Sequence, residues 1–327
     1  PFDRTRLSIA GTEQAVVTGI ARRQFAVAES GAMAYAAAGE PDANVLEWAT
    51  QSSRAASPAK PGALQSPVLS ADGSRVAGVI GDDIWVADLA RPATTRLTHG
   101  GINVDPVWSG SAVFYAASRG RAFEIWKRDS SATTAAVHVL SSIDHHRHLF
   151  PTSVSRDSQM MSYTETGGST HGDVVVVSLA SKKVVAAVQT PFDETSGVLS
   201  PDGRLLAYQS DESGRWEIYV LRIAGNRRVA ISGAGGTEPA WSGDGGMLFY
   251  RAGDALISVP IDATGAVTAT PVPVMPLPEG SVALIAADGR ILLGRNVDPA
   301  PREGVLTLEW ARELRKMLGP PAAALPR

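Results

Sequence analysis

The chain has 327 residues, a formal net charge of −3, 44% apolar residues and no cysteine. Disulfides, thiolate metal ligands and a cysteine nucleophile are thereby excluded, and the absence of any basic run argues against nucleic acid as a partner. No stretch approaches the roughly twenty apolar residues that span a bilayer, and Pro1 is no initiator, so a leader or an upstream domain is expected ahead of it.

From the N-terminus onward, apolar strands run into tight polar turns and back out again at intervals of roughly forty residues, the period of a four-stranded propeller blade. The turns are centred on Ser30-Gly31, Ala71-Asp72-Gly73, Ser109-Gly110-Ser111, Arg156-Asp157-Ser158, Ser200-Pro201-Asp202-Gly203, Gly243-Asp244-Gly245 and Ala287-Asp288-Gly289. A third strand follows five of these turns, at Asp83-Ile84-Trp85-Val86, Glu124-Ile125-Trp126, Asp173-Val174-Val175-Val176, Glu217-Ile218-Tyr219-Val220 and Leu256-Ile257-Ser258-Val259. Fourth strands fall at residues 95–98, 137–140, 183–185, 228–231 and 272–274. The fold class read from this is all-β: a propeller of antiparallel blades, seven by this count and six if the N-terminal piece belongs elsewhere.

Residues 1–327 form a single domain on this reading. Residues 1–17 supply the outer strands that close the ring with inner strands from 281–308, removing the free edges an open array would expose. Residues 309–318 read as a short C-terminal helix, because Trp310, Leu314, Met317 and Leu318 share one face and Gly319-Pro320 stops it; residues 319–327 are a tail.

The turn chemistry is structural. In Ser200-Pro201-Asp202-Gly203, proline presets a backbone angle, aspartate bonds forward to backbone N–H groups and glycine takes a positive φ. Asp72, Asp202, Asp244 and Asp288 are a blade apart, which is not the spacing of a calcium loop. Trp85, Trp126, Trp216 and Tyr219 on third strands, with Trp108 and Trp241 ahead of turns, read as rings packed between blades; Trp48 is open to carbohydrate stacking.

Histidine is concentrated where a site would be. In a four-stranded meander the loops joining strands two and three share a face with the loops passing from blade to blade. His99, the run Asp144-His145-His146-Arg147-His148 and His171 all fall there, with Arg119, Arg121, Asp193, Glu194, Asp211 and Glu212 around them. The candidate binding residues are Arg119, Arg121, Asp144, His145, His146, His148, His171, Asp211 and Glu212. His145, His146, His148 and His171 are candidate ligands for a divalent metal, since imidazole with carboxylate suits zinc, manganese or iron, although no fixed ligand register is present. No other cofactor is implied.

Leu199-Ser200-Pro201-Asp202-Gly203-Arg204, Tyr208-Gln209-Ser210-Asp211-Glu212-Ser213-Gly214-Arg215-Trp216-Glu217-Ile218-Tyr219-Val220 and Gly235-Gly236-Thr237-Glu238-Pro239-Ala240-Trp241-Ser242 together resemble the TolB-type branch of the WD-like propellers. With Gln189-Thr190-Pro191-Phe192-Asp193-Glu194-Thr195 and Leu308-Glu309-Trp310, the order of elements is most similar to the propeller region downstream of bacterial serine/threonine kinases. The resemblance implies a periplasmic or otherwise extracytoplasmic sensor or protein-interaction module. TolB itself carries a small α/β domain ahead of a six-bladed propeller, and this chain has no residues for one. Kinase motifs are absent, and the nearest approach to a serine-hydrolase elbow, Gly167-Gly168-Ser169-Thr170-His171, lacks its final glycine. The reading is therefore a noncatalytic binding module for a protein, peptide or small envelope ligand, with a metal-dependent lyase or hydrolase built on the histidines as the alternative.

Overall fold

The computed structural model describes residues 64–120, 122–142, 146–168, 171–277 and 281–296, together with the strands Phe2–Asp3, Ser8–Ile9, Ile20–Val27, Met33–Ala37, Asn44–Ala49, Arg54–Ala56 and Gly304–Thr307. The chain divides into two compact units, one of residues 43–297 and one of residues 1–42 with 298–327.

The larger unit consists of six four-stranded antiparallel sheets. Five are continuous meanders. Blade 1 is Gln65–Leu69, Arg75–Ile80, Asp83–Asp88 and Thr94–Arg96; blade 2 is Ile102–Ser109, Ala112–Ser118, Glu124–Asp129 and Val137–Leu140. Blade 3 is His148–Val154, Met160–Thr166, Asp173–Ser178 and Val184–Val188, and blade 4 is Glu194–Leu199, Leu205–Ser210, Glu217–Arg222 and Arg227–Ala230. Blade 5 is Thr237–Trp241, Met247–Ala252, Ala255–Pro260 and Val272–Pro276. Blade 6 is composite: Ser281–Ile285 and Ile291–Asn296 pair with Asn44–Ala49 and Arg54–Ala56 from the other end of the unit.

The first strand of each blade contacts the first strand of the next, and that of blade 6 contacts that of blade 1, so the ring is closed. Six apolar clusters fill the gaps, one between each successive pair of blades. Strand periodicity explains the pattern. Val174 and Val176 pack toward blade 4 while Val175 and Val177 pack toward blade 2, so a strand buried on both faces needs a continuous apolar run rather than alternation. Each such fully buried valine contributes about 1.5 to 3 kcal/mol.

Two expectations change. The seventh blade is replaced: the turn at Ser30-Gly31 lies between Ile20–Val27 and Met33–Ala37, which form a three-stranded sheet with Gly304–Thr307 in the smaller unit. A turn signal marks a hairpin, and a hairpin becomes a blade only when a third and fourth strand join it. Ring closure does join N-terminal outer strands to C-terminal inner ones, but the strands come from 44–56 rather than 1–17; Phe2–Asp3 and Ser8–Ile9 pair with each other. The helix expected at 309–318 lies outside the described residues. Among the described residues no helix occurs, and none is long and apolar enough to cross a membrane.

Candidate functional site

The two ends of the ring are built differently. At one end stand the turns between first and second strands, and four of them are copies of one hydrogen-bonded device. Ser70, Ser155, Ser200 and Ser242 each donate Oγ–H to the aspartate two residues on, at 2.6, 2.6, 2.7 and 2.6 Å. The same hydroxyl accepts the backbone N–H five residues on, while the aspartate accepts a second backbone N–H at Ser74, Gln159, Arg204 or Gly246. These bonds hold Asp72 down at a pKa of about 2, with the Ser70 hydroxyl the largest cause, and lower Asp157 and Asp244 in the same way.

Turns of different blades also meet. Ser109 and Ser158 share a 2.7 Å hydrogen bond, Arg156 Nη2 donates to Gly243 O at 2.8 Å, and a Cβ on Gly243 would stand 2.2 Å from Ala287 O. In these four turns the serine and aspartate side chains are committed to the turn itself.

The opposite end carries the second-to-third-strand loops and the blade-to-blade connections, and most sequence-predicted residues sit there. Arg119 is a strut between blades 1 and 2. Its Nη2 donates to Asn103 Oδ1 at 3.2 Å, and the buried Asn103 amide donates to Asp82 O and Gly100 O at 3.0 and 3.2 Å.

His148 is held by its own ring. Nδ1 accepts the Phe123 N–H at 3.2 Å, and the imidazole packs against Phe123 and Phe150. Accepting at Nδ1 leaves Nε2 to carry the proton of the neutral form, so His148 has no lone pair free for a metal in this arrangement. His146 lies in the connection that packs on Gly167, and Arg147 beside it pairs with Glu165 at 2.8 Å. Arg121, Asp144 and His145 lie outside the described residues. Among the described residues no three His, Asp or Glu side chains are grouped to hold a metal ion.

The structure does bring together His171, Asp193 and Asp211 at the junction of blades 3 and 4. Asp211 Oδ1 accepts the Asp193 N–H at 2.9 Å, and Asp193 O accepts the Asp211 N–H at 3.3 Å. Burial raises the Asp193 pKa; His171 opposes the rise, and Asp211 and Asp173 add to it. Beneath them Glu194 is fully buried, accepting from the Thr190 hydroxyl and, at 3.2 Å, from the Thr190 N–H, and burial raises it as well. Glu212 instead pairs with Arg228 at 2.9 Å, whose guanidinium lies over the Tyr219 ring. Phe192, between Pro191 and Asp193, is exposed.

Other conspicuous acids are structural. Asp83 accepts from Thr98 Oγ1 at 2.9 Å and Arg96 Nη2 at 2.5 Å, and Thr98 Oγ1 accepts the Ile84 N–H. Glu217, Ser232 and Ile218 repeat the device in blade 4. Trp48 is covered by the Arg290 guanidinium at 4.2 Å, so its face is taken.

Sequence reasoning named no residue that lines the channel. Five first strands carry a β-bulge at the same point, between Gln65 and Val68, Val104 and Val107, Pro151 and Ser153, Thr195 and Val198, and Thr237 and Ala240. In four of them the bulged residue has a positive φ without being glycine: Ser66 at 45°, Asp105 at 50°, Ser196 at 54° and Glu238 at 56°. Such a bulge re-aims a side chain, at a backbone cost of about 1 to 3 kcal/mol. Here Ser66, Asp105 and Ser196 line a cavity of about 390 Å³ together with Phe150, Thr152 and Thr195. The signal available in the sequence was the residue before a strand-interior proline or glycine: Ser66-Pro67, Asp105-Pro106, Ser196-Gly197 and Glu238-Pro239.

No family model matches the chain, and no curated protein matches it. Solved structures do. The putative TolB from Agrobacterium tumefaciens superposes with a TM-score of 0.62 at 16% identity, covering 79% of this chain and 99% of that one. TolB from Acinetobacter baumannii gives 0.50 at 15%, covering 82% and 67%. An oligogalacturonate lyase in complex with manganese gives 0.50 at 16%, covering 88% and 81%. At these identities the likeness is one of fold, and in fold the chain is similar to the TolB-like β-propellers.

Proposed function

We propose that this chain is a noncatalytic binding or scaffolding propeller, a sensor or interaction module that recognises a protein, peptide or envelope ligand on its loop face. The observation that supports this is the asymmetry of the two ends. One is a set of near-identical turns bonded to themselves, whereas the other presents unlike loops with an exposed Phe192 beside His171, Asp193 and Asp211. The recognition surface comprises Arg119, Arg121, Asp144, His145, His146, His148, His171, Asp211 and Glu212, with Arg119 and His148 as struts that fix loop shape rather than contacts. The motif likeness to propellers downstream of bacterial serine/threonine kinases supports a sensor role in the periplasm or elsewhere outside the cytoplasm.

A photo-crosslinking amino acid placed at 171 or 212 is expected to capture a partner from envelope extract, and the same group at 72 or 244 is not. Equal capture from both ends would remove the proposal. Metal analysis of untagged protein separates the alternative: stoichiometric zinc, manganese or iron lost in a His146→Ala/His171→Ala variant would favour a metal-dependent enzyme.

A further inference from the structure

The described lining of the channel cavity holds one ionisable group, and its surroundings specify what would neutralise it. Asp105 projects from the bulge of blade 2 into a lining whose other polar side chains are the hydroxyls of Ser66, Thr152, Thr164, Thr195 and Ser196, the rest being valine, proline and Phe150. No described residue hydrogen-bonds or ion-pairs with its carboxylate. The Ser66 and Ser196 hydroxyls likewise bond to no other described residue. Thr195 Oγ1 is occupied by Gln209 Nε2 at 3.0 Å and Thr152 Oγ1 by Ser162 at 3.1 Å. Burial raises the Asp105 pKa with no nearby charge to offset it. A half-buried carboxylate left without a donor is unfavourable unless something from solution supplies one.

We propose that the channel binds a primary ammonium group, with the Asp105 carboxylate as its counter-ion and the Ser66 and Ser196 hydroxyls as further acceptors. An ammonium carries three donors and no acceptor, which suits one carboxylate plus hydroxyl oxygens. A divalent metal asks for six to eight oxygen ligands with several carboxylates, or for imidazoles, and the described lining has one carboxylate and no histidine. Ser66, Asp105 and Thr195 lie in the first halves of their strands, nearer the blade-to-blade connections, so entry is from the loop face. Val68, Val107 and Val198 offer an apolar wall for the methylene stem of a lysine side chain. This assignment does not depend on which loop residues contact a partner.

The test uses the full chain at pH 7.5, with amide-detected NMR titration by Nα-acetyl-lysine amide, Nα-acetyl-norleucine amide and calcium chloride. Saturable shifts confined to Ser66, Asp105, Thr195 and Ser196 are expected with the lysine compound and not with norleucine. Asp105→Asn, which keeps the shape and tolerates a positive φ, should weaken that response roughly tenfold or more. Equal shifts with norleucine, an unchanged response in Asp105→Asn, no saturable shift at all, or saturation by calcium alone would each overturn the assignment. The lysine and norleucine comparison on the unaltered chain decides the matter even if the variant fails to fold.

Discussion

The indole Nε1 of Trp241 donates a 3.0 Å hydrogen bond to the main-chain carbonyl of Val198, linking blade 5 to the innermost strand of blade 4. Trp108 repeats the bond to Val68 O, also at 3.0 Å, between blades 2 and 1. Each carbonyl belongs to the residue where pairing resumes after the bulge. The indole therefore satisfies a backbone group at the point where the ladder is interrupted. Trp241→Phe keeps most of the ring and removes the donor, so it is expected to lower stability by roughly 1 to 3 kcal/mol. Urea midpoints of the parent chain and the variant would check this, and an unchanged midpoint would show that the carbonyl finds another donor.

Gly203 provides a second stability test. Its φ is +70°, and an added Cβ would stand 2.6 Å from Met160 Cε of blade 3. Gly203→Val combines backbone strain with that overlap, and a loss of at least about 1 to 3 kcal/mol is expected. Gly233 lacks a positive φ, and a Cβ added there would meet no atom within 4 Å, so Gly233→Ala should change the midpoint by less than about 0.5 kcal/mol. Similar effects at both positions would show that loop entropy, not the turn geometry, governs them.

Much of this architecture was legible. The Ser-x-Asp turns announced themselves because every residue in them has one local job, and third strands stood out because Val174 to Val177 must be apolar on both faces. Ring closure was legible as a principle and misplaced in sequence. Edge pairing of Ile291–Asn296 with Asn44–Ala49 is a contact between residues far apart in the chain, which no local pattern encodes. The loop-face histidines illustrate the same limit from the other side. Meander topology placed them on one face, but whether His148 is a ligand or a strut depends on the Phe123 N–H, and that is a fact of backbone approach.

Closure predicts a contrast between two truncations. Removing residues 43–56 strips the third and fourth strands from blade 6 and leaves Ile291–Asn296 as a free edge, so association or loss of the cooperative transition is expected. Removing residues 1–17 leaves all six four-stranded sheets with their strands. Light scattering and thermal melts of both would distinguish them. If deleting 43–56 leaves a monomer with the parent transition, the composite blade is not what closes the ring.

Acid should weaken the fold through the turns. Asp72, Asp157, Asp202 and Asp244 have folded pKa values below the usual carboxylate value near 3.8, about 2 for Asp72, so the stability they confer is present above that usual value and is lost as pH falls through the lowered ones. Asp105, Asp193 and Glu194 are raised and act with the opposite sign, favouring the fold as they take up protons. Asp72→Asn is therefore expected to be less stable than the parent at pH 7, with the gap shrinking below pH 4 and closing near pH 2. A gap independent of pH would show that the Ser70 and Ser74 bonds do not depend on the charge.

The junction of blades 3 and 4 can be tested through one carboxyl group. His171 is exposed, and its electrostatic influence partly offsets the upward push on Asp193 from burial, Asp211 and Asp173. Removing the imidazole leaves those three influences unopposed, so in His171→Ala the Asp193 titration midpoint, followed by carboxyl carbon NMR, should move upward. The Asp211 Oδ1 bond from the Asp193 N–H belongs to the loop backbone and should survive, so hydrogen exchange at Asp193 should stay slow. Stability should barely change, because His171 buries little surface. An unmoved Asp193 midpoint would mean that His171 exerts no such influence in solution. The loop face would then lose the influence of His171 on Asp193 at this junction, and Phe192 with Asp211 would be left to carry recognition there.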